Sequence, residues 1–315
     1  MKSAISLIAF AGVNGCVDVI MPRYGRQGWS ATVDYSDGYW WSNDGLRLHY
    51  RDYPGRADRP PIVCLPGLTR NARDFEGVAA RLSPAWRVIA VDFRGRGDSA
   101  YAKDAMTYVP LTYAQDVERL LDELKIDRVV AFGTSLGGIV TMLIAAMGRT
   151  KLAGALINDI GPVIEADGLN RIKSYVGKTH AWATWVHAAR ALSEMNAVIY
   201  PEYKLEDWLV MAKRLCRLTP AGRIVPDYDK NIAEPFRVPG GEAGVDLWPA
   251  LDALANVPTL IVRGALSDLF SDETATAMAA RLKAATLVTV PDVGHAPTLD
   301  EPEAVAAIEA LLTRL

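Results

Sequence analysis

Four short apolar runs recur along the first half of this 315-residue chain: PIVCLP (61–66), WRVIAVDF (86–93), DRVVAFG (127–133) and LAGALINDI (152–160). Each has the length and β-branched content of a strand buried on both faces, which is the pattern of a parallel sheet covered by helices. Helical segments fall between them, over 75–82 and over 112–124, where Val117, Leu120, Leu121 and Leu124 share one face. Upstream, YWWS and LRLHYRDY flank the turn residues Asn43, Asp44 and Gly45 and read as an antiparallel strand pair. Strand and helix alternating in this way specify an α/β fold with a mainly parallel sheet.

The alternation stops after Pro162 and resumes only near Asp246, a gap too long for a connecting loop in such a sheet. Two apolar stripes lie inside it. Trp182, Trp185, Val186, Ala189 and Leu192 form one, and Leu205, Trp208, Leu209, Ala212 and Leu215 the other. The gap therefore reads as an inserted helical subdomain. The core resumes with a helix around LWPALDALA, strands TLIVRG (259–264) and TLVTV (286–290), and a helix over 302–312. The resulting map is an N-terminal extension (1–38), a core in two pieces (39–161 and 246–315) and a helical cap (162–245).

Composition narrows the function classes. Half of the residues are hydrophobic, 23% are charged and the net charge is −3, so nothing suggests a nucleic-acid partner. Cys16, Cys64 and Cys216 are odd in number and far apart, and make neither a disulfide framework nor a metal-ligand spacing. No apolar run reaches the ~18 residues of a spanning helix. MKSAISLIAFAGVNGC loosely resembles a secretory or lipoprotein signal, but Asn14 and the single lysine argue against it. A cytoplasmic protein is expected, with export or lipid anchoring through residues 1–20 as the alternative.

The segment carrying chemistry is Gly133-Thr134-Ser135-Leu136-Gly137, a G-x-S-x-G pattern where strand DRVVAF turns into a helix. A sharp strand-to-helix turn lifts such a serine clear of the sheet, and the glycines relieve crowding around the strained backbone. The hydroxyl needs a base. Of the four histidines, His295 follows the last strand in a loop that can carry an imidazole over Ser135. The third member is a carboxylate. Asp268, beyond the penultimate strand, gives the chain order Ser, Asp, His expected for this arrangement; Asp159, ending LINDI, is the rival, with a turn role before Gly161-Pro162 as its plainer reading. Oxyanion donors are expected from the backbone N–H of Leu136 and of Leu68, in the loop after PIVCLP.

These ordered motifs, LPGLTRN, VDFRGRGDS, FGTSLGG, VRGALSD and VGHAPTLDEP, resemble the α/β-hydrolase superfamily in its cap-bearing branch of esterases, enol-lactonases and C–C bond hydrolases. The resemblance covers roughly 39–315 and implies an eight-stranded, mostly parallel sheet with a helical cap following NDIGPVIEADGL. It also implies a cofactor-independent, metal-free serine hydrolase, with the triad Ser135, Asp268 and His295 acting on a small or medium ester or lactone; the alternatives are C–C hydrolysis by the same residues and a non-catalytic ligand-binding protein. Many relatives have His-Gly where this chain has Pro66-Gly67, so any contact of that histidine is lost. A serine at the nucleophile position speaks against dehalogenase and epoxide hydrolase chemistry. The resemblance makes Arg94, Gly95, Arg96 and Asp98 a turn bracing the elbow. Trp182 and Trp185 read first as helix packing and second as pocket residues, and the apolar cap suggests a mostly apolar site. Monomer and homo-oligomer are both compatible with the sequence.

Overall fold

The computed structural model describes residues 34–237 and 246–315. The signal-like segment, Cys16 and the last residues of the expected cap lie outside the described residues. In chain order the strands are β1 (Ser36–Trp41), β2 (Arg47–Tyr53), β3 (Ile62–Leu65), β4 (Val88–Asp92), β5 (Arg128–Thr134), β6 (Lys151–Asn158), β7 (Cys216–Leu218), β8 (Ile224–Pro226), β9 (Thr259–Gly264) and β10 (Ala285–Val290). The helices are α1 (Glu76–Leu82), α2 (Pro110–Leu124), α3 (Leu136–Met147), α4 (Ala166–Tyr175), α5 (Trp185–Asn196), α6 (Leu205–Leu215), α7 (Trp248–Asp252), α8 (Asp272–Arg281) and α9 (Pro302–Leu312).

Eight of the strands form one sheet in the order β1-β2-β4-β3-β5-β6-β9-β10. β2 pairs antiparallel with β1 and β4, and the pairs from β4 through β10 are parallel. The central strands are those the sequence marks as apolar throughout: every residue of β3 and β4 is buried. Helices pack on both faces, and two apolar clusters form, one on each side of the sheet. Local chemistry sets the ends of the helices. Pro110 and Pro302 sit in the first turns of α2 and α9, where a missing N–H costs nothing. Lys125 and Gly148 close α2 and α3 in the left-handed conformation.

Several details depart from the sequence reading. β1 starts at Ser36, so a core boundary at residue 39 cuts through a strand. The segment between β6 and β9 contains α4 and the β7–β8 hairpin in addition to the two expected helices. Trp182 lies outside α5: the Thr184 hydroxyl accepts the His187 N–H and caps the helix there, and Trp182 instead pairs with Ile224 beside β8. α8 has no clear signature in the sequence, because its inward side is built from alanines, a threonine and one methionine, too little contrast for a 3.6-residue stripe. Cys64 and Cys216 are both buried and unbridged. Among the described residues no helix is long and apolar enough to cross a membrane.

Candidate active site

Ser135 stands between β5 and α3 with φ 53° and ψ −116°, a strained conformation for a residue with a side chain. The surrounding glycines are sterically required. A Cβ on Gly133 would come 2.3 Å from the Gly137 carbonyl oxygen, and one on Gly137 would come 1.9 Å from that of Leu65. The turn therefore closes only because β3, β5 and the start of α3 approach backbone to backbone. Ser135 precedes α3 but makes no capping hydrogen bond with its side chain. Its Oγ instead lies 2.8 Å from His295 Nε2.

On the other side of the ring, His295 Nδ1 lies 2.8 Å from Asp159 Oδ2. A carboxylate only accepts, so Nδ1 carries the proton and Nε2 is left to accept from Ser135. Asp159 follows β6 with φ 55° and is fully buried. Its Oδ1 accepts the Gly264 N–H at 2.7 Å, and Oδ2 also accepts the Ser267 hydroxyl at 2.5 Å. The loop carrying His295 is held from two directions. Asn158 donates to Pro297 O at 2.8 Å, and Tyr200, from the segment between β6 and β9, donates to Ala296 O at 2.7 Å.

Asp268, expected to orient His295, interacts with it electrostatically but takes its hydrogen bonds from another partner. Both of its oxygens take the guanidinium of Arg171 in α4, at 2.5 and 2.8 Å. Burial works against the charge of Asp268, but Arg171 outweighs it and holds the carboxylate below its ordinary pKa. The carboxyl against His295 is that of Asp159, the rival in the sequence reading. The displacement has a local cause. Ser267 is tied to Asp159, while the Asp268 carbonyl accepts the Gly168 N–H and its side chain follows α4.

Both expected oxyanion donors are near the serine. Leu136 is the first residue of α3, where backbone N–H groups have no partner within the helix. Gly67 and Leu68 line the cleft that contains Ser135 and His295. The Leu68 carbonyl accepts from Arg96 Nε at 2.9 Å, and the same guanidinium reaches Arg94 O and the Tyr113 hydroxyl. The arginines of VDFRGRGDS are thus internal braces: Arg94 is clamped by Asp116 and Asp44, and Arg96 fixes the Leu68 loop.

The cleft opens to solvent. It is not mostly apolar. Arg70, Arg171, Arg214 and Asp74 line it together with Ser135, His295, Tyr175 and Tyr200. A second cleft is lined by Trp182, Leu192, Met195 and Trp208, and shares Thr69, Arg70, Tyr175, Asn196 and Tyr200 with the first. Trp185 lines neither; half-buried at the start of α5, it packs against the edge of the apolar cluster. Among the described residues one His/Asp group, His49, Asp92 and Asp98, has ligand-type atoms within 4.8 Å of one another. They already bind protein: His49 Nδ1 meets Asp92 Oδ2 at 2.7 Å, and Asp92 accepts the N–H groups of Ala72 and Asp98.

Known proteins share this framework. The alpha/beta hydrolase family model matches residues 62–308. A 3-hydroxybutyrate-oligomer hydrolase of Cupriavidus necator is 34% identical over 276 residues, spanning 85% of this chain and 93% of its own. The crystal structure of an alpha/beta hydrolase from Novosphingobium aromaticivorans superposes with a TM-score of 0.87 at 54% identity, covering 90% of this chain and all of that one. An E-2-(acetamidomethylene)succinate hydrolase shares the fold at 23% identity and a TM-score of 0.73, over 89% and 98% of the two chains. With the sheet order, the strained serine turn and these matches together, the chain belongs to the alpha/beta hydrolase family.

Proposed function

We propose that this protein is a serine-dependent carboxylic ester hydrolase in which Ser135 is the nucleophile, His295 the general base and Asp159 the acid that orients it. The observation that carries the reading is the unbroken relay of hydrogen bonds from Ser135 Oγ through His295 to the buried Asp159. In the first step His295 Nε2 takes the hydroxyl proton as Oγ adds to the ester carbonyl. The N–H groups of Leu68 and Leu136 receive the oxyanion. Its collapse expels the alcohol, protonated by His295, and leaves an acyl-serine. Water, deprotonated by the same histidine, then adds to the acyl group and releases the acid. Asp159 keeps the Nδ1–H tautomer in place and stabilises the imidazolium formed in each half-reaction. Each oxyanion donor contributes about 3 to 4 kcal/mol to the transition state. In this reading the segment between β6 and β9 is the cap over the site.

The curated relative named for hydrolysis of 3-hydroxybutyrate oligomers supports ester cleavage as the reaction, because those oligomers are joined by ester bonds. The test is a burst of p-nitrophenol from p-nitrophenyl acetate, together with labelling by a fluorophosphonate probe. Both are expected from the native chain and neither from Ser135→Ala. Equal turnover by the variant would overturn the assignment.

A further inference from the structure

The cleft at Ser135 has more cationic lining than ester cleavage requires. Arg70, Arg171 and Arg214 face it, against the single carboxylate of Asp74. The three guanidinium groups differ in how they are held. Asp268 takes Arg171 through both Nε and Nη2, in the fork geometry that satisfies an arginine most completely. Arg214 is almost wholly buried, with Asp300 at 3.5 Å. Arg70 is met by Asp74 through Nη1, at 3.1 and 3.5 Å to the two oxygens, the same nitrogen contacts the sulfur of Met211, and Tyr200 also interacts with the guanidinium.

Arg70 is also the arginine placed to reach an ester on Ser135. It lies three residues beyond Gly67 in the loop that follows β3. A Cβ built on Gly67 would sit 3.3 Å from Arg70 Cγ and 3.7 Å from Ser135 Cβ, so the arginine stem and the nucleophile flank the same glycine. Arg70 lines both clefts. A molecule reacting at Ser135 and extending toward the apolar wall of Trp182 and Trp208 passes it. Arginine suits the recognition of an anion there, because its planar fork matches a carboxylate and it stays charged at every working pH.

We infer that Arg70 anchors a free carboxylate of the substrate, so that the esters this site takes carry an acid group a few bonds from the scissile carbonyl. The inference rests on Ser135 acting as nucleophile, and the substrate class it names is a half-ester or the ester of a hydroxy acid. The ester itself lies over Ser135, the carboxylate meets Arg70, and apolar substituents extend into the second cleft. The opposing reading, in which Arg70 only braces its loop through Asp74, predicts no discrimination by charge.

Two substrate pairs test this, each an anion and its neutral methyl ester: p-nitrophenyl hydrogen glutarate against methyl p-nitrophenyl glutarate, and 3-acetoxybutanoate against methyl 3-acetoxybutanoate. In the native chain kcat/KM is expected to favour the anion at least tenfold in one pair, and the preference to shrink as salt is raised. It should fall close to unity in Arg70→Gln and be partly retained in Arg70→Lys. No preference for the anion in either pair, or a preference that Arg70→Gln leaves unchanged, overturns the inference. Calorimetric binding of the intact esters to Ser135→Ala, with and without Arg70→Gln, reads the same preference without turnover. Failure of the nucleophile assignment is thereby separated from failure of the carboxylate anchor. Because the native chain supplies the charge preference and its salt dependence, the inference can be overturned even if Arg70→Gln does not fold.

Discussion

His295 Nδ1 and Asp159 Oδ2 are 2.8 Å apart, joining the loop after β10 to the end of β6. That contact puts against the imidazole the rival carboxylate of the sequence reading, Asp159, and not the favoured one, Asp268. Asp159→Asn would present an amide to the ring and favour the wrong tautomer, so kcat is expected to drop about 10³- to 10⁴-fold. Asp268→Asn breaks an ion pair with Arg171 and should cost less than about tenfold. Steady-state assays of the two variants on one p-nitrophenyl ester decide the matter, and a larger loss in Asp268→Asn would reverse the assignment.

The elbow glycines are predicted to be structural before they are catalytic. Gly137→Ala drives a methyl group into the Leu65 carbonyl, a backbone atom that cannot rotate away. We expect a loss of at least about 3 kcal/mol, since relief would require moving β3 against α3. Urea unfolding of the variant measures it. A native-like midpoint would mean that the turn is looser than its contacts indicate.

Arg96 is predicted to act on the reaction through the Leu68 loop that it braces. It is fully buried and donates to Leu68 O, Arg94 O and the Tyr113 hydroxyl. Arg96→Met leaves two buried acceptors, Arg94 O and the Tyr113 hydroxyl, unserved at a cost of about 1 to 3 kcal/mol each where no water enters, and frees the half-buried Leu68 carbonyl. The loosened Leu68 loop should lower kcat more than it raises KM. A purely structural brace would lower the melting temperature and leave kcat per folded molecule unchanged.

A pH dependence of stability is expected from His49. Burial disfavours its charge, but Asp92 and Asp37 outweigh burial and raise its pKa above the ordinary 6.5. A group raised in the folded state contributes stability that is complete below its unfolded pKa and is lost as pH rises through its folded pKa. The native chain should therefore lose stability between about pH 6.5 and the raised value, relative to His49→Gln. Denaturation midpoints of both proteins across pH 6 to 9 provide the check; a constant difference would contradict it.

The sequence alone determined the sheet and the strained serine turn at its centre. Continuous apolar runs that alternate with helices form central parallel strands, and a serine between glycines at a strand-to-helix junction forms a sharp turn. It also singled out His295, since no other histidine follows the last strand. Two matters were decided by tertiary structure. The choice between Asp159 and Asp268 depended on α4, whose Arg171 takes one carboxylate while Ser267 and Gly264 hold the other against His295. The polarity of the cleft depended on arginines distant in sequence, Arg70 from the loop after β3 and Arg171 and Arg214 from the segment between β6 and β9, which line it together. Periodicity reports which face of an element is buried. It does not report which charged side chains from separate elements converge, because that is set by packing between elements and not by the pattern within any one of them.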